Sequence, residues 1–418
     1  MDQSVVPPPA STRPSALADL PRVLAAAPHR MMFFAGAVAV LASMGWWALE
    51  LSAGRWGWTW LPQPAVPPGW AHAMFAQYGM LAPFIFGFLL TVFPRWMNQP
   101  ELSRAHYVPV FGGVFGGYVI AQVGLFGLRP LLVGGLVLML GGWLIGLSHL
   151  FGVLRRHGFK DRWALSCFGA LSVGACGLVL FLAFMLGADP RLALVAIKLG
   201  TFGLLLPVYF TVAHRMVPFF TSNVVKGYRV VRPTWSVPLL WTLLAAHLGF
   251  EFAQAQRWRF LADVPLALFF LGHWLAWQPW KARRPGLLAV LYLALAWLPV
   301  AFALFSADSL CELLRGASPF GRAPVHALTV GFFGSMLVAM VTRVTHGHSG
   351  RPLAMGPVPW YTFLAVQAVA FARIGAEFAS DVPRAYALAA IGWLLAFLPW
   401  ALRSAYIYLT PRRDGRPG

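Results

Sequence analysis

Charged side chains are scarce in this sequence. Only 11% of its 418 residues are Asp, Glu, Lys or Arg, whereas 59% are hydrophobic and the mean hydropathy is +0.67. A soluble domain carries roughly 25% charged residues, so this composition excludes an ordinary soluble protein. Apolar windows of about eighteen or more residues, enough for a helix to cross a bilayer, recur along almost the whole chain. We therefore predict an all-α polytopic membrane protein.

Cysteine is rare, and several common cofactor motifs are missing. The chain has three cysteines without CxxC spacing, no CxxCH motif for covalently attached haem, and no P-loop for ATP. The formal net charge of +19 does not indicate nucleic acid, because basic cytoplasmic loops beside anionic lipid give a membrane protein the same excess. The expected partner is the lipid bilayer, with no nucleic acid.

The apolar windows predict about twelve transmembrane helices. Lys and Arg residues outside them number 22 on the N-terminal side of the membrane and 8 on the opposite side, so the positive-inside rule places both termini in the cytoplasm. Residues 1–30 are expected to form a disordered cytoplasmic arm, residues 31–410 the membrane domain and residues 411–418 a cytoplasmic tail. The expected spans are 31–49, 71–93, 107–128, 130–154, 163–187, 191–213, 235–254, 260–280, 287–308, 323–342, 357–378 and 384–409.

An internal repeat relates these spans. The sixth contains KLGTFGLLLPVYFTVAHR (198–215) and the tenth HALTVGFFGSMLVAMVTR (326–343), at an offset of 128 residues. In the following spans, AHLGFEFA (246–253) matches ARIGAEFA (372–379) at an offset of 126. An offset of four spans preserves orientation, so we predict three parallel four-helix units. The expected units are 31–154, 163–280 and 287–409.

Ionisable residues recur along the repeated spans, where they are costly to bury and usually functional. Glu251 follows His247, and Glu377 follows Arg373, by four residues, so each pair shares a helix face. For the first pair a structural hydrogen bond competes with metal ligation, and for the second a structural ion pair is the alternative to a functional role. The residues at the outer ends are His72, Lys198 and His326, and those at the inner ends are Arg95, Arg215 and Arg343.

Histidine is the usual axial ligand of b-type haem and also suits copper. Two histidines on facing helices at one depth can hold a haem, and His72 and His326 meet the depth condition in the outer half of the membrane. His214, His346 and His348 are expected to cluster at the cytoplasmic ends. With Arg215 and Arg343 beside it, that cluster could hold haem propionates, a metal or lipid phosphate.

Three stretches resemble signature sequences of the NnrS family: FGFLLTVFPRW (86–96), AHRMVPFFT (213–221) and HALTVGFFGSMLVAMVTRVTHGHSGRP (326–352). The resemblance covers most of the chain. It implies a twelve-span inner-membrane protein that contains haem and copper and is connected with nitric oxide and nitrosative stress. The family often reads WHAHEM where this chain reads WAHAMF. Here Met74 replaces the second histidine and Phe75 the glutamate, although a methionine thioether can still bind Cu(I).

These observations predict a haem-binding, NnrS-like protein of the bacterial inner membrane that protects against nitric oxide damage, whether or not it is an enzyme. Its expected partners are nitric oxide or an iron–nitrosyl species and an electron donor. One alternative is a transporter that uses Lys198 and the Arg373–Glu377 pair. Another is a nitric oxide reductase of the haem–copper type. Haem b is expected at His72 and His326 or at the cytoplasmic cluster, and copper at His247, Glu251, His346 or Met74.

Overall fold

The computed structural model describes residues 20–414, and within that range the chain forms helices and turns without any strand. A short helix, Leu20–Leu24, precedes twelve long ones. The long helices are α1 Pro28–Trp56, α2 Pro68–Trp96, α3 Arg104–Gly124, α4 Arg129–Arg156, α5 Arg162–Met185, α6 Arg191–Ser222, α7 Ser236–Phe252, α8 Phe260–Ala276, α9 Gly286–Arg315, α10 Ala323–His348, α11 Pro357–Gly375 and α12 Val382–Leu409.

The predicted fold class is confirmed: the protein is an all-α, multi-pass membrane protein. Ten of the helices between residues 20 and 414 are long and apolar enough to cross a bilayer, and they coincide with ten of the predicted spans. The other two, α7 and α11, lie at the remaining predicted positions, but α7 has 17 residues and α11 is not among the ten. The number of spans therefore stays a prediction.

The predicted N-terminal arm ends earlier than expected. Residues 1–19 lie outside the described range, but Leu20–Leu24 is helical and α1 begins at Pro28. His29 and Arg30, placed in the arm by their polarity, are buried in the first turn of α1. The guanidinium of Arg30 donates to the backbone oxygen of Tyr408 at 2.9 Å, because the end of α12 leaves carbonyl groups without helical partners.

The first and last helices pack side by side, which joins the two ends of the chain. Arg30 binds the end of α12 at one end of this seam. At the other end, Arg55 forms an ion pair with Asp381, the N-cap residue of α12, at 2.6 Å. We call the end of the bundle that carries His72 and His326 the upper end, and the end that carries Arg215 and Arg343 the lower end.

The glycines of α3 allow that helix to touch α4 backbone to backbone. A Cβ atom on Gly142 would lie 2.6 Å from the Cα atom of Gly113, far inside van der Waals contact. A Cβ atom on neighbouring Gly141 would meet nothing within 4 Å. Small residues at such contacts let membrane helices approach closely, and the position of each glycine decides whether it serves this purpose.

Helices α2, α6 and α10 each contain a π-helical stretch, at 75–81, 199–205 and 327–334. Their first residues are 124 and 128 positions apart, and the second value equals the offset found in the sequence. π-Helical turns are rare and often mark functional sites. A fourth π-helical stretch, 112–116 in α3, has no counterpart in α7 or α11. The matching positions on α2, α6 and α10 support the threefold repeat, which stays a prediction.

The π stretches correct the expected register of α2 against α6. When the two stretches are aligned, the α2 residue equivalent to Lys198 is Met74 rather than His72. The residue equivalent to Arg215 is Thr91 rather than Arg95. His72 and Arg95 are 23 residues apart, whereas Lys198 and Arg215 are 17 apart. Because these separations differ, His72 and Arg95 cannot both be equivalent to Lys198 and Arg215, as their places at the helix ends had suggested.

Candidate functional site

A cavity of about 370 Å³ opens between α1, α2, α6, α10, α11 and α12 at the upper end of the bundle. The π-helical stretches of α2, α6 and α10 contribute to its wall, through residues such as Met80, Phe202 and Thr329. Its volume lies in the range of sites for small molecules and cofactors, about 300–1,000 Å³. We call it the upper cavity. The basic residues that line it are His72, Lys198, Arg322, His326 and Arg373.

His326 is oriented as a ligating histidine would be. Its Nδ1–H donates to the backbone oxygen of Arg322 at 2.8 Å, one helical turn earlier. This bond fixes the tautomer, since the other ring nitrogen, Nε2, then keeps its lone pair. A backbone carbonyl behind the imidazole is the usual second contact of a histidine that binds a metal.

His72 enters the same cavity from α2. Its imidazole stacks on the indole of Trp47, with ring centroids 4.5 Å apart and an angle of 11° between the planes. Its Nδ1 atom is buried and has no hydrogen-bond partner among the described residues. A buried polar atom without a partner is unusual and calls for an explanation such as an absent ion or cofactor. The structure thus brings the predicted pair, His72 and His326, to one cavity.

Three cationic side chains surround these histidines, and they differ in their partners. The ammonium group of Lys198 lies 2.9 Å from a carboxylate oxygen of Glu251. The guanidinium of Arg373 lies 2.7 Å from Glu377, which is the predicted ion pair. The guanidinium of Arg322 makes no hydrogen bond or ion pair within residues 20–414. Arg322 is therefore the cation that is free to bind an anionic group at the mouth of the cavity.

A polar contact crosses the cavity wall between α2 and α6. The Gln77 amide donates to the hydroxyl of Thr201 at 2.9 Å. Its other amide atom, Oε1, lies so close to α6 that a Cβ atom on Gly200 would be only 1.7 Å from it. Gly200 is therefore required for Gln77 to lie here, and this contact holds two π-helical stretches together.

Behind this wall lies a buried network of charges that the sequence only partly indicated. The His247 Nδ1–H donates to Asp263 at 2.6 Å, and both side chains are fully buried. Arg259 connects Asp263, at 3.0 Å, with Glu251, and Glu251 binds Lys198 at the cavity. The network thus runs from the cavity to His247, whose ring lies 4.0 Å from that of Phe202 in the cavity wall.

This network engages both residues of the predicted metal pair, His247 and Glu251. The buried Nε2 atom of His247 has no partner among residues 20–414, so metal binding by His247 stays a prediction. Glu251 binds Arg259 and Lys198 rather than lying free as a ligand. Sequence reasoning missed Arg259, Asp263 and Asp308, whose carboxylate lies 3.8 Å from Arg259. A signal was available, since Arg259 and Asp263 are four residues apart at the start of an apolar helix, the spacing of an ion pair.

The predicted cytoplasmic histidine cluster does not form a single site. His346 has both ring nitrogens engaged: Nδ1–H donates to Pro352 at 3.0 Å and Nε2 accepts from Arg403 at 3.2 Å. His214 accepts a hydrogen bond from the Trp163 indole through Nδ1 at 3.0 Å. Its Nε2 therefore carries the proton and offers no lone pair. Both ring nitrogens of His346 are thus engaged, whereas the buried Nε2 atom of His214 has no partner among residues 20–414.

The remaining residues of that cluster are held apart by other partners. The ring of His348 lies 4.3 Å from that of His29. Arg215 binds Asp161 at 2.5 Å and lies over the ring of Trp96. Arg343 lies over the ring of Phe220, 3.9 Å from its centroid.

The copper donors that the sequence suggested do not come together in one site within residues 20–414. Met74 is buried in the core and is not among the cavity-lining residues, while His247, Glu251 and His346 serve the contacts described above. Within residues 20–414, no three His, Cys, Asp or Glu side chains come together as a metal site. His72 and His326, which line one cavity, are of the residue type that holds a haem, and copper stays a prediction.

One comparison with known proteins is decisive. A family model described as NnrS protein matches residues 23–412. The chain belongs to the NnrS family. No curated protein sequence matches it. In this NnrS-family protein, the signature stretch 326–352 begins at the upper cavity with His326 and ends at the lower end, whereas 86–96 and 213–221 lie in the lower halves of α2 and α6.

Proposed function

We propose that this NnrS-family protein lies in the bacterial inner membrane and binds b-type haem in the upper cavity. It takes part in the response to nitric oxide and protects the cell from nitrosative stress. The observation that supports the proposal is the shared cavity of His72 and His326, together with the unpaired cation of Arg322. Family membership supports the connection with nitric oxide. With both termini in the cytoplasm, as the distribution of basic residues predicts, the upper cavity lies near the periplasmic face.

In this proposal, His72 and His326 would hold the haem through their imidazole nitrogens. The haem would supply a redox-active iron. The Arg322 carbonyl holds the His326 ring in its ligating tautomer, and the Trp47 indole keeps the His72 ring from turning. The Arg322 guanidinium is free to bind a propionate carboxylate. Nitric oxide or an iron–nitrosyl species and an electron donor are the proposed partners.

The experiment is a reduced-minus-oxidised absorption spectrum of the purified protein with metal analysis. A haem held by two imidazoles is low-spin, so His326→Ala and His72→Ala should each lose the haem or convert it to a high-spin form. His149→Ala is the matched control, because His149 packs on His106 rather than lining the cavity. If both cavity variants keep the wild-type low-spin spectrum, the proposed ligands are wrong.

Arg322 has its own test. Arg322→Gln should keep the low-spin spectrum but release haem several times faster to apomyoglobin, because only a charge partner is lost. Arg315→Gln is the control, since Arg315 is an exposed arginine at the end of α9 and does not line the cavity. Equal rates of haem release from the two variants would show that Arg322 does not bind the haem.

A transporter is the second candidate function, favoured by the ion-paired cations on the cavity wall, Lys198–Glu251 and Arg373–Glu377. Such pairs can exchange partners when a charged solute enters. Purified protein without a haem spectrum would favour this candidate. Consumption of nitric oxide by haem-loaded protein with an electron donor would instead indicate a reductase.

A further inference from the structure

A second cavity, of about 70 Å³, lies between α1, α2, α6 and α10 below the upper cavity. We call it the lower cavity. Three of these helices line it with residues at equivalent positions of the repeat. Adding 124 to the α2 positions gives those of α6, and adding 128 more gives those of α10, the offsets that relate the π-helical stretches. The equivalent positions are 84, 85 and 88 of α2, 208, 209 and 212 of α6, and 336, 337 and 340 of α10. The lower cavity therefore lies where the three repeated helices converge.

The chemistry of its wall excludes water and ions. Of the thirteen described side chains that line it, Tyr209 alone carries a hydroxyl, and the others are aliphatic, aromatic or thioether groups. A buried water needs two to four polar partners, and cavities without them stay dry and take up apolar molecules such as xenon. The volume exceeds the roughly 10–15 Å³ that one water-sized probe needs. It is much smaller than the upper cavity.

The two cavities are close neighbours along the same helices. The upper cavity reaches down to Leu81 on α2 and Leu205 on α6, and the lower cavity begins three residues later, at Phe84 and Val208. Three residues of helix are about 4.5 Å. A small molecule in the lower cavity is thus about one helical turn from the upper cavity.

We propose that the lower cavity is a binding site for a small, uncharged diatomic gas. Such a molecule needs no hydrogen-bond partner, dissolves in the lipid around the bundle, and gains dispersion contacts with an apolar wall that gives water almost no polar partner. Its delivery from there to the upper cavity rests on the proposed haem site, whereas binding in the lower cavity does not. The gas site can therefore fail or succeed independently of the haem.

The test uses xenon as the probe, by ¹²⁹Xe NMR of the purified full-length protein or by diffraction from crystals under xenon pressure. We expect one xenon atom in the lower cavity of the wild-type protein. Ala213→Leu fills the cavity from α6 and should reduce xenon binding at least tenfold, and Val212→Leu, which adds one methylene, should reduce it less. Ala246→Leu is the control, because Ala246 is exposed on α7.

Met336→Ala provides a second test, because a smaller side chain adds no bulk to the core. It enlarges the lower cavity from α10 and should increase xenon binding. Wild-type protein that takes up no xenon there would overturn the proposal. Equal uptake by Ala213→Leu and wild type would overturn it as well. In haem-loaded His72→Ala protein, whose iron has an open position, adding Ala213→Leu should slow the binding of nitric oxide to the reduced haem several-fold. An unchanged rate there, with xenon binding lost, would refute delivery through this cavity.

Discussion

Arg259 is the residue whose loss should destabilise the bundle most, and Arg259→Met tests this. The guanidinium reaches Glu251, Asp263 at 3.0 Å and Asp308 at 3.8 Å, and its side chain is only 7% exposed. It also lies 4.9 Å from the centroid of the Phe305 ring. Methionine keeps most of the side-chain length but removes the charge. Glu251 then keeps only Lys198 as a cationic partner, while Asp263 keeps His247 and Asp308 keeps the hydrogen bond from Ser318.

The expected size follows from this geometry. Removing one partner of a buried ion pair costs about 3–5 kcal/mol, because the other charge is left buried and uncompensated. Each 1.36 kcal/mol is a factor of ten, so the equilibrium constant for unfolding should rise by roughly two to four orders of magnitude. SDS titration of the protein in mixed micelles, followed by circular dichroism, measures the change.

Arg257→Met is the matched control. Arg257 is an exposed arginine two residues earlier on the same turn, so its loss should change the stability by less than about 0.5 kcal/mol. Adding Asp263→Asn to Arg259→Met removes one uncompensated carboxylate and should recover part of the loss. If Arg259→Met unfolds at the same SDS fraction as Arg257→Met, the network does not stabilise the fold and the reasoning is refuted.

Two further predictions concern packing and topology. Gly142→Leu should prevent α3 and α4 from touching and destabilise the protein by more than the 1–3 kcal/mol typical of an overfilled core, whereas Gly141→Leu should be close to neutral in the same SDS titration; equal effects would argue against the contact. An alkaline phosphatase, which is active only in the periplasm, fused after Gly418 should show no activity, because the 22-to-8 bias in basic residues places the C-terminus in the cytoplasm, and strong activity would reverse the topology.

Much of the candidate site could be predicted from sequence because buried charge is costly in a membrane. His72 and His326 stood out as polar residues at the start of long apolar runs, and the structure places both at the upper cavity. The Arg373–Glu377 pair followed from helix spacing alone, since residues four apart meet on one face. Each of these inferences needed only local geometry or depth in the bilayer.

Contacts between distant segments were harder to predict. His214, His346 and His348 share a depth in the membrane, yet each is turned toward a different neighbour: Trp163, Arg403 and His29. Depth fixes the height of a residue along a helix but not its direction around the axis. That direction depends on how the helices pack. The three histidines therefore make separate contacts instead of the expected cluster.

The sequence by itself determined that the chain is helical and crosses the membrane many times, because isolated backbone polar groups cannot be left unsatisfied in lipid and a helix satisfies them within one segment. It also determined which residues carry charge into the membrane. The tertiary structure decided which charges meet, as when Arg259 joins three carboxylates from three helices. It also decided the register of the repeat, since a π-helical stretch changes the facing of every later residue on α2, α6 and α10. These outcomes depend on packing between distant segments, which no local pattern in the sequence specifies.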